Sequence, residues 1–421
     1  MLIEFSVKNF RSFKDKVTLS MEKSIGEENK NSIFKCNNIE LLKTSAIYGA
    51  NASGKSNLIR AFAVAIMMIR NSNIIPIGGK WNDVIPFKLD EKTSKEPTTF
   101  EFIFITKGVK YNYSFSADNS KIYDEKLLAY YSQKPSVIFL RTKTNKYETP
   151  VDDNKLKNII SQNTDNKLLL STATTWNYEK TKDPYLWFVN SIDVYDNFNY
   201  VLDEDLKSFS EDNKELKEFT LKLLKEADII INDIYVNFEE KEMDINMANL
   251  LFPPLARTKE LPKVKNLNIE LEHKVKDNDG KYHTYKFDFN DESSGTKVLF
   301  NMAPFLKRAF EKQCIIIVDE LERSMHPMLV KYIINLFNNL NINKVNSQLI
   351  FTTHAVNLLD LDIFRRDEIW LTEKKSNTGA SNLYSLDDFS VRTSENIEKG
   401  YLNGRYGAVP FIRDISILWE E

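Results

Sequence analysis

The chain has 421 residues, 42% hydrophobic and 28% charged, and its 57 Lys and Arg against 60 Asp and Glu leave a formal net charge of −3. This composition excludes wholesale disorder, and two cysteines, Cys36 and Cys314, exclude a disulfide framework. No global basic excess points to nucleic acid.

The length predicts two or three folding units. Ile3, Phe5 and Val7 alternate with Glu4, Ser6 and Lys8, which predicts a half-buried strand, then a turn over Asn9–Phe13 and a second strand near 17–20. A strand over 42–48 runs into Gly49, and 57–70, free of Gly and Pro, reads as a helix. Turn signals between 98 and 141 separate four strands, 100–106, 110–117, 122–131 and 136–141, as a β-meander. From 152 to about 261 the chain reads as mainly helical and irregular, with a charged amphipathic stretch at 203–227 that lacks the heptads of a coiled coil. Strands return at 266–276 and 281–289, followed by a helix at 296–312, a strand at 314–318, a helix at 327–340, a strand at 348–352 and a short helix after His354. The simplest parse is one α/β domain in two halves, 1–148 and 265–421, separated by a mainly helical insertion at 149–264.

The opening 16 residues lack the apolar core of a signal peptide. The longest apolar run, Ala61 to Ile69, is nine residues against roughly 20 for a bilayer span, so a cytoplasmic protein without a membrane partner is expected.

Gly49-Ala-Asn51-Ala52-Ser53-Gly54-Lys55-Ser56 fits the G-x-x-x-x-G-K-[ST] pattern between a predicted strand and a predicted helix. Glycines let successive backbone N–H groups face phosphates at the positive end of the helix, and Asn57 opens its next turn. Lys55 would neutralise the β- and γ-phosphate oxygens of ATP, and the Ser56 hydroxyl would ligate Mg²⁺. The bland alternative is a glycine turn with a surface lysine. Downstream, Cys314-Ile-Ile-Ile-Val318 is an apolar run ending in Asp319-Glu320, which places two carboxylates at the carboxyl end of a buried parallel strand. There Asp319 would hold Mg²⁺ through water and Glu320 would polarise the attacking water; alone, the same string is also a buried strand with an acidic turn.

Spacing narrows the class. Asp319 lies 264 residues after Lys55, far beyond a compact crossover. Glu292-Ser293-Ser294-Gly295-Thr296 opens a helix 27 residues before Asp319, and His354 ends a strand 35 residues after it. A Ser-Ser-Gly helix start is a second anion-binding surface, though singly it is also a capped helix. A His at a strand edge can reach a γ-phosphate or the attacking water, and singly it is also a packing or capping histidine.

The order of phosphate loop, Ser-Ser-Gly, Asp-Glu strand and His resembles ABC-class ATPases of the SMC, RecF and OLD group. The resemblance implies an ABC-type ATPase domain, a parallel core sheet plus an antiparallel β subdomain. The opening Ile3-Glu-Phe-Ser-Val-Lys-Asn9-Phe-Arg11-Ser-Phe13 looks like that group's first hairpin, which implies that Arg11 borders the adenine. Leu321-Glu-Arg-Ser-Met-His326-Pro327 resembles its D-loop, and Glu395-Asn-Ile-Glu-Lys-Gly-Tyr-Leu-Asn-Gly-Arg405-Tyr-Gly-Ala looks like prokaryotic RloA/AbiLi-type anti-phage defence ATPases. The likeness covers about residues 1–145 and 265–415. It implies a head-to-tail homodimer, or a higher oligomer, in which Ser293, Ser294 and Gly295 touch the γ-phosphate held at Lys55 of the other subunit. It also implies turnover by Glu320, His354 and Lys55, and a sensor that controls a separate nuclease or toxin effector. In that setting Arg405 is either a partner or nucleotide contact or a solvated surface residue.

One departure stands out. The group's Mg²⁺-holding Gln after an early strand is missing: the glutamines are Gln133, Gln162, Gln313 and Gln348, and the stretch Trp81–Leu89 occupies about that place with no role assigned. Sixty-seven residues follow His354, short of a Toprim nuclease of roughly 100, so Asp387 and Asp388 read as a capping or loop pair. The alternatives are a RecF-like repair ATPase that binds duplex DNA, a transporter motor, which the lack of a Leu-Ser-Gly-Gly-Gln signature disfavours, and an ATP-gated scaffold that barely turns over.

Overall fold

β1 (Leu2–Lys8) buries Phe5 and Val7 as its alternation predicts, and pairs antiparallel with β2 (Val17–Ser20) and β6 (Thr98–Thr106). From β6 the meander continues through β7 (Val109–Ala117), β8 (Ile122–Tyr130), β9 (Ser136–Thr142) and β10 (Lys146–Glu148), completing a seven-stranded sheet of order β10-β9-β8-β7-β6-β1-β2. The computed structural model describes residues 1–26, 28–150, 154–196, 209, 213–242, 263–392 and 395–410. They fall into two compact units, Met1–Asn197 with Ala309–Arg323 and Val330–Glu421, and Phe198–Arg308 with Ser324–Leu329.

In the first unit a hairpin of β3 (Ile33–Cys36) and β4 (Ile39–Leu42) precedes β5 (Thr44–Gly49). The predicted strand at 42–48 is thus two strands, joined at the fully buried Lys43. A six-stranded sheet has the order β11-β15-β16-β5-β17-β18, built from β5, β11 (Ile192–Tyr195), β15 (Ile315–Val318), β16 (Gln348–Thr352), β17 (Ile369–Lys374) and β18 (Ser381–Ser385). All its pairings are parallel except β17 with β18. The fold is therefore α/β, a parallel core sheet plus an antiparallel β layer. Of this sheet's strands, β11, β17 and β18 lie outside the elements the sequence predicts.

α1 (Lys55–Asn71) is apolar on nearly every side because it is buried on nearly every side. Phe62 stacks on Phe5 of the antiparallel sheet at 3.7 Å, and the same core holds Ile47, Ile315, Ile317 and Ile350 of the parallel one. A polar clamp joins the sheets as well. The fully buried Gln348 accepts from Leu2 N (2.9 Å) and donates to Leu2 O (3.1 Å) and Leu42 O (3.0 Å), satisfying its amide without water.

Within the predicted insertion, α2 (Asn154–Gln162), α3 (Leu169–Thr175) and α4 (Glu179–Asn190) group with the first unit, together with β11. Glu125 of β8 explains part of this. Its buried carboxylate accepts from Leu169 N (2.6 Å) and Leu170 N (2.9 Å), capping α3. Arg70 of α1 adds a bond from Nε to Phe188 O (2.8 Å) at the end of α4.

The second unit carries α5 (Lys214–Glu226), capped by Asn213, and an antiparallel sheet of β12 (Asp233–Glu242), β13 (Lys263–Lys276) and β14 (Tyr282–Asp288). Part of the predicted amphipathic stretch, 203–208 and 210–212, lies outside the described residues. α6 (Ser294–Glu311) follows in this unit up to Arg308, whereas α7 (Pro327–Asn338) from Val330 onward and α8 (Ile397–Leu402) belong to the first. Among the described residues no helix is long and apolar enough to cross a membrane.

Candidate functional site

The phosphate loop hangs between β5 and α1. Gly49 (φ 152°), Ala52 (φ 61°) and Gly54 (φ 127°) supply the left-handed turns that wrap the chain. The glycines are needed behind the loop as much as in front of it. A Cβ on Gly49 would lie 2.4 Å from Thr372 O and 2.6 Å from Ser53 Oγ, and one on Gly54 would lie 2.7 Å from Ser381 Oγ. Ser53 Oγ is hydrogen-bonded to Thr372 Oγ1 at 2.6 Å, and Ser381 Oγ donates to Ser53 O, so β17 and β18 form the loop's back wall. Lys55 is buried, and its Nζ donates to Gly49 O (2.7 Å) and Ala50 O (3.2 Å). Burial pushes this ammonium down to about 8, against the upward pull of Asp319, Glu320 and Glu322. Those acids come from the far end of the sequence. Ser56 and Asn57 follow on the first turn of α1, with Asn57 Nδ2 donating to Ser12 Oγ at 2.9 Å.

The carboxylates stand at the carboxyl end of β15, beside β16. Thr352 joins them: its Oγ1 donates to Asp319 Oδ1 (2.5 Å) and accepts from Glu320 N (2.7 Å). Glu320 itself has φ 52°, a conformation that costs a non-glycine residue about 1–2 kcal/mol and so needs such a tether. His354 Nε2 lies 3.9 Å from Glu320 Oε1, and both side chains are about two-fifths exposed (40% and 41%). Arg323 approaches the other oxygen at 4.0 Å. Glu322 reaches behind this pair to accept the His354 backbone N–H at 2.5 Å.

Arg11 sits in the turn after β1 at φ 49° and donates its backbone N–H to Ile85 O (2.8 Å). Its Nε is buried without a partner, and burial and the nearby Arg60 hold its guanidinium below the usual arginine value, opposed by Asp83. The next residue, Ser12, accepts at its carbonyl from Ser381 N (2.7 Å). The Trp81–Leu89 stretch is held as architecture. Phe87 N donates to Asn9 Oδ1 (3.0 Å), and Trp81 Nε1 donates to Asn166 O (3.0 Å). No glutamine is among its residues, and Gln348 is the sheet clamp.

Ser293, Ser294 and Gly295 start α6 in the second unit. Ser293 Oγ accepts from Thr296 N at 3.1 Å, a helix cap, while a Cβ on Gly295 would find nothing nearer than Ser324 O at 3.5 Å. Just before them, Glu292 Oε1 is paired with His273 Nε2 at 2.6 Å. Arg405 pairs with Glu395 inside the chain, and Asp388 caps the 3₁₀ turn of Leu386–Asp388 through Ser385 N (3.0 Å). Tyr401, Leu402, Val409 and Pro410 face Gly49–Asn51 and His354 across a cavity of about 400 Å³. Thr352, Thr372, Ser381 and Glu322 were not singled out from the sequence. The one available signal was a threonine closing an otherwise apolar strand.

The site can cradle a polyphosphate on backbone N–H groups and lysine, offer hard oxygen donors to a cation, and set a carboxylate and an imidazole side by side. No curated protein matches the sequence. Among solved structures the chain is similar to an SMC head domain from Thermotoga maritima, at 13% identity over 91% of this chain and 98% of that one, with a TM-score of 0.41. A family model described as "AAA domain, putative AbiEii toxin, Type IV TA system" matches residues 45–360, a span that holds the phosphate loop, Asp319, Glu320 and His354. That span is well over half of the sequence, and the chain belongs to this AAA-domain family.

Proposed function

We propose that the protein is a Mg²⁺-dependent ABC-class ATPase that acts as the sensing or regulatory partner of a separate toxin or nuclease in an anti-phage, abortive-infection type of defence. The observation that carries the chemistry is the convergence of Lys55, Asp319, Glu320 and His354 from remote stretches of sequence, organised by Thr352. The family description, with its toxin–antitoxin system, supports the biological setting.

In this reading Gly49, Asn51, Ala52, Ser53 and Gly54 present the backbone to the phosphates of ATP, and Lys55 leaves its loop carbonyls for the β- and γ-oxygens. Ser56 and Asp319 are an all-oxygen donor pair of the kind Mg²⁺ prefers, and the bound ion would offset the charge of the phosphates. Glu320 accepts a proton from the attacking water, and His354 steadies that water or the γ-phosphate. Ser293, Ser294 and Gly295 serve the site of a second copy, which makes the dimer the active species, and Arg11 borders the base.

The test is ATP turnover per subunit against protein concentration, for wild type and Glu320→Gln, with and without duplex DNA. Specific activity that rises with concentration and is lost in Glu320→Gln is expected, without DNA stimulation. Concentration-independent turnover removes the dimer, DNA stimulation moves the protein toward repair, and a zero rate throughout removes the ATPase.

A further inference from the structure

Glu322 lies two residues past the proposed general base and has no part in the chemistry above. Its surroundings are unusual for a carboxylate in an acidic turn. One oxygen accepts the backbone N–H of His354 at 2.5 Å. The other, Oε2, is buried without a hydrogen-bond partner. An acceptor left unpaired in a buried place forfeits roughly 1–3 kcal/mol, so this turn holds the carboxylate for the one bond that its other oxygen makes.

We propose that Glu322 is a positioning residue for His354, anchoring its backbone N–H with one carboxylate oxygen. The strand β16 ends at Thr352, and the peptide of His354 has left the sheet, so the ladder no longer holds it. Glu322 supplies the missing hold. It comes from the same turn that carries Glu320, so base and imidazole move as one piece. A shift of about 1 Å in such a pair is enough to cost on the order of 100-fold in rate. The inference rests on the proposed ATPase reading for its kinetic consequence, and on structure alone for the anchor.

Two measurements separate these. Amide hydrogen exchange is followed over 353–356 in wild type, Glu322→Ala and Glu322→Gln, alongside melting temperature. In Glu322→Ala the exchange should speed up roughly tenfold or more in that segment only, with the melting temperature little changed, and Glu322→Gln, which keeps an acceptor, should restore protection. Steady-state turnover should then show kcat down roughly 10- to 100-fold and KM for ATP nearly unchanged in Glu322→Ala, with recovery in Glu322→Gln. Unchanged exchange in Glu322→Ala, or a loss expressed in KM, would overturn the proposal. A wild type that binds but never hydrolyses ATP would instead defeat the ATPase reading, and the exchange result would still decide the anchor.

Discussion

Replacing Thr352 by valine keeps the shape of the strand end and deletes one hydroxyl. That hydroxyl makes two bonds, a donation to the Asp319 carboxylate at 2.5 Å and an acceptance from Glu320 N at 2.7 Å. The first is charge-assisted and worth about 1.5–3 kcal/mol, and the second leaves a peptide N–H that costs about 1–3 kcal/mol where water cannot reach it. Thr352 is fully buried, so solvent does not repair either loss. Together roughly 3–5 kcal/mol is at stake. Part of it appears as lost stability, and part as release of Glu320 from its left-handed conformation at φ 52°. The expected result is a lower melting temperature and a kcat reduced roughly 10- to 100-fold at saturating ATP, whereas Thr352→Ser, which keeps the hydroxyl, stays near wild type. The assay is coupled ATP turnover paired with thermal unfolding of the same preparations. A valine variant with undiminished turnover, or a serine variant as damaged as valine, would refute the claim that this hydroxyl organises the carboxylates.

Lys55 is pushed down to about 8 in the free protein, and bound phosphates must pull it up again. ATP binding should therefore take up a proton above pH 8 and weaken as pH rises through that value; calorimetry at pH 9 in two buffers of different ionisation heat reads the uptake, and its absence counts against Lys55 as the phosphate ligand. Glu368, fully buried against Thr44 Oγ1 and Arg365 N, is raised from 4.5 to about 8 by burial. The folded state thus keeps a proton that the unfolded state gives up, so stability from this group is full below pH 4.5 and is lost as pH rises to 8. The melting temperature of Glu368→Gln minus that of wild type should grow across that window, and a flat difference would contradict the assignment. Glu125→Ala uncaps α3 and strips the buried Arg141 of the carboxylate 3.9 Å away. It should cost about 3–5 kcal/mol in chemical denaturation, and a loss below about 1 kcal/mol would show that the network carries no stability.

Much of the frame is legible in the chain. β16 spans the predicted residues, and the meander and α1 differ from expectation by one or two residues at their ends, because periodicity of two and unbroken apolar runs carry those elements directly. The strands beyond His354 left a weaker trace. β17 opens on three consecutive apolar residues, Ile369, Trp370 and Leu371, without alternation, and ends in Glu373 and Lys374, a run too short to tell a strand from other buried chain. The phosphate loop announces itself through glycine, but its back wall does not. Thr372 and Ser381 are ordinary strand residues until the fold sets them against Ser53. Thr352 hides for a related reason, since threonine is a common strand former and its second role depends on a neighbour 33 residues away. Trp81–Leu89 shows the reverse: distinctive residues whose observed bonds to Asn9 and Asn166 serve packing.

The order in which the parallel sheet is threaded bears on how the protein is made. β5 emerges from the ribosome early, yet its neighbours on both sides, β16 and β17, are synthesised about 300 residues later. Until Thr372 and Ser381 arrive, the glycine loop has no wall to curl against, and the acids that face Lys55 are missing. Synthesis at about 5–20 residues per second leaves this apolar strand waiting for tens of seconds with both of its edges unpaired. The pocket between the glycine loop and those acids therefore forms only once the later strands have been made.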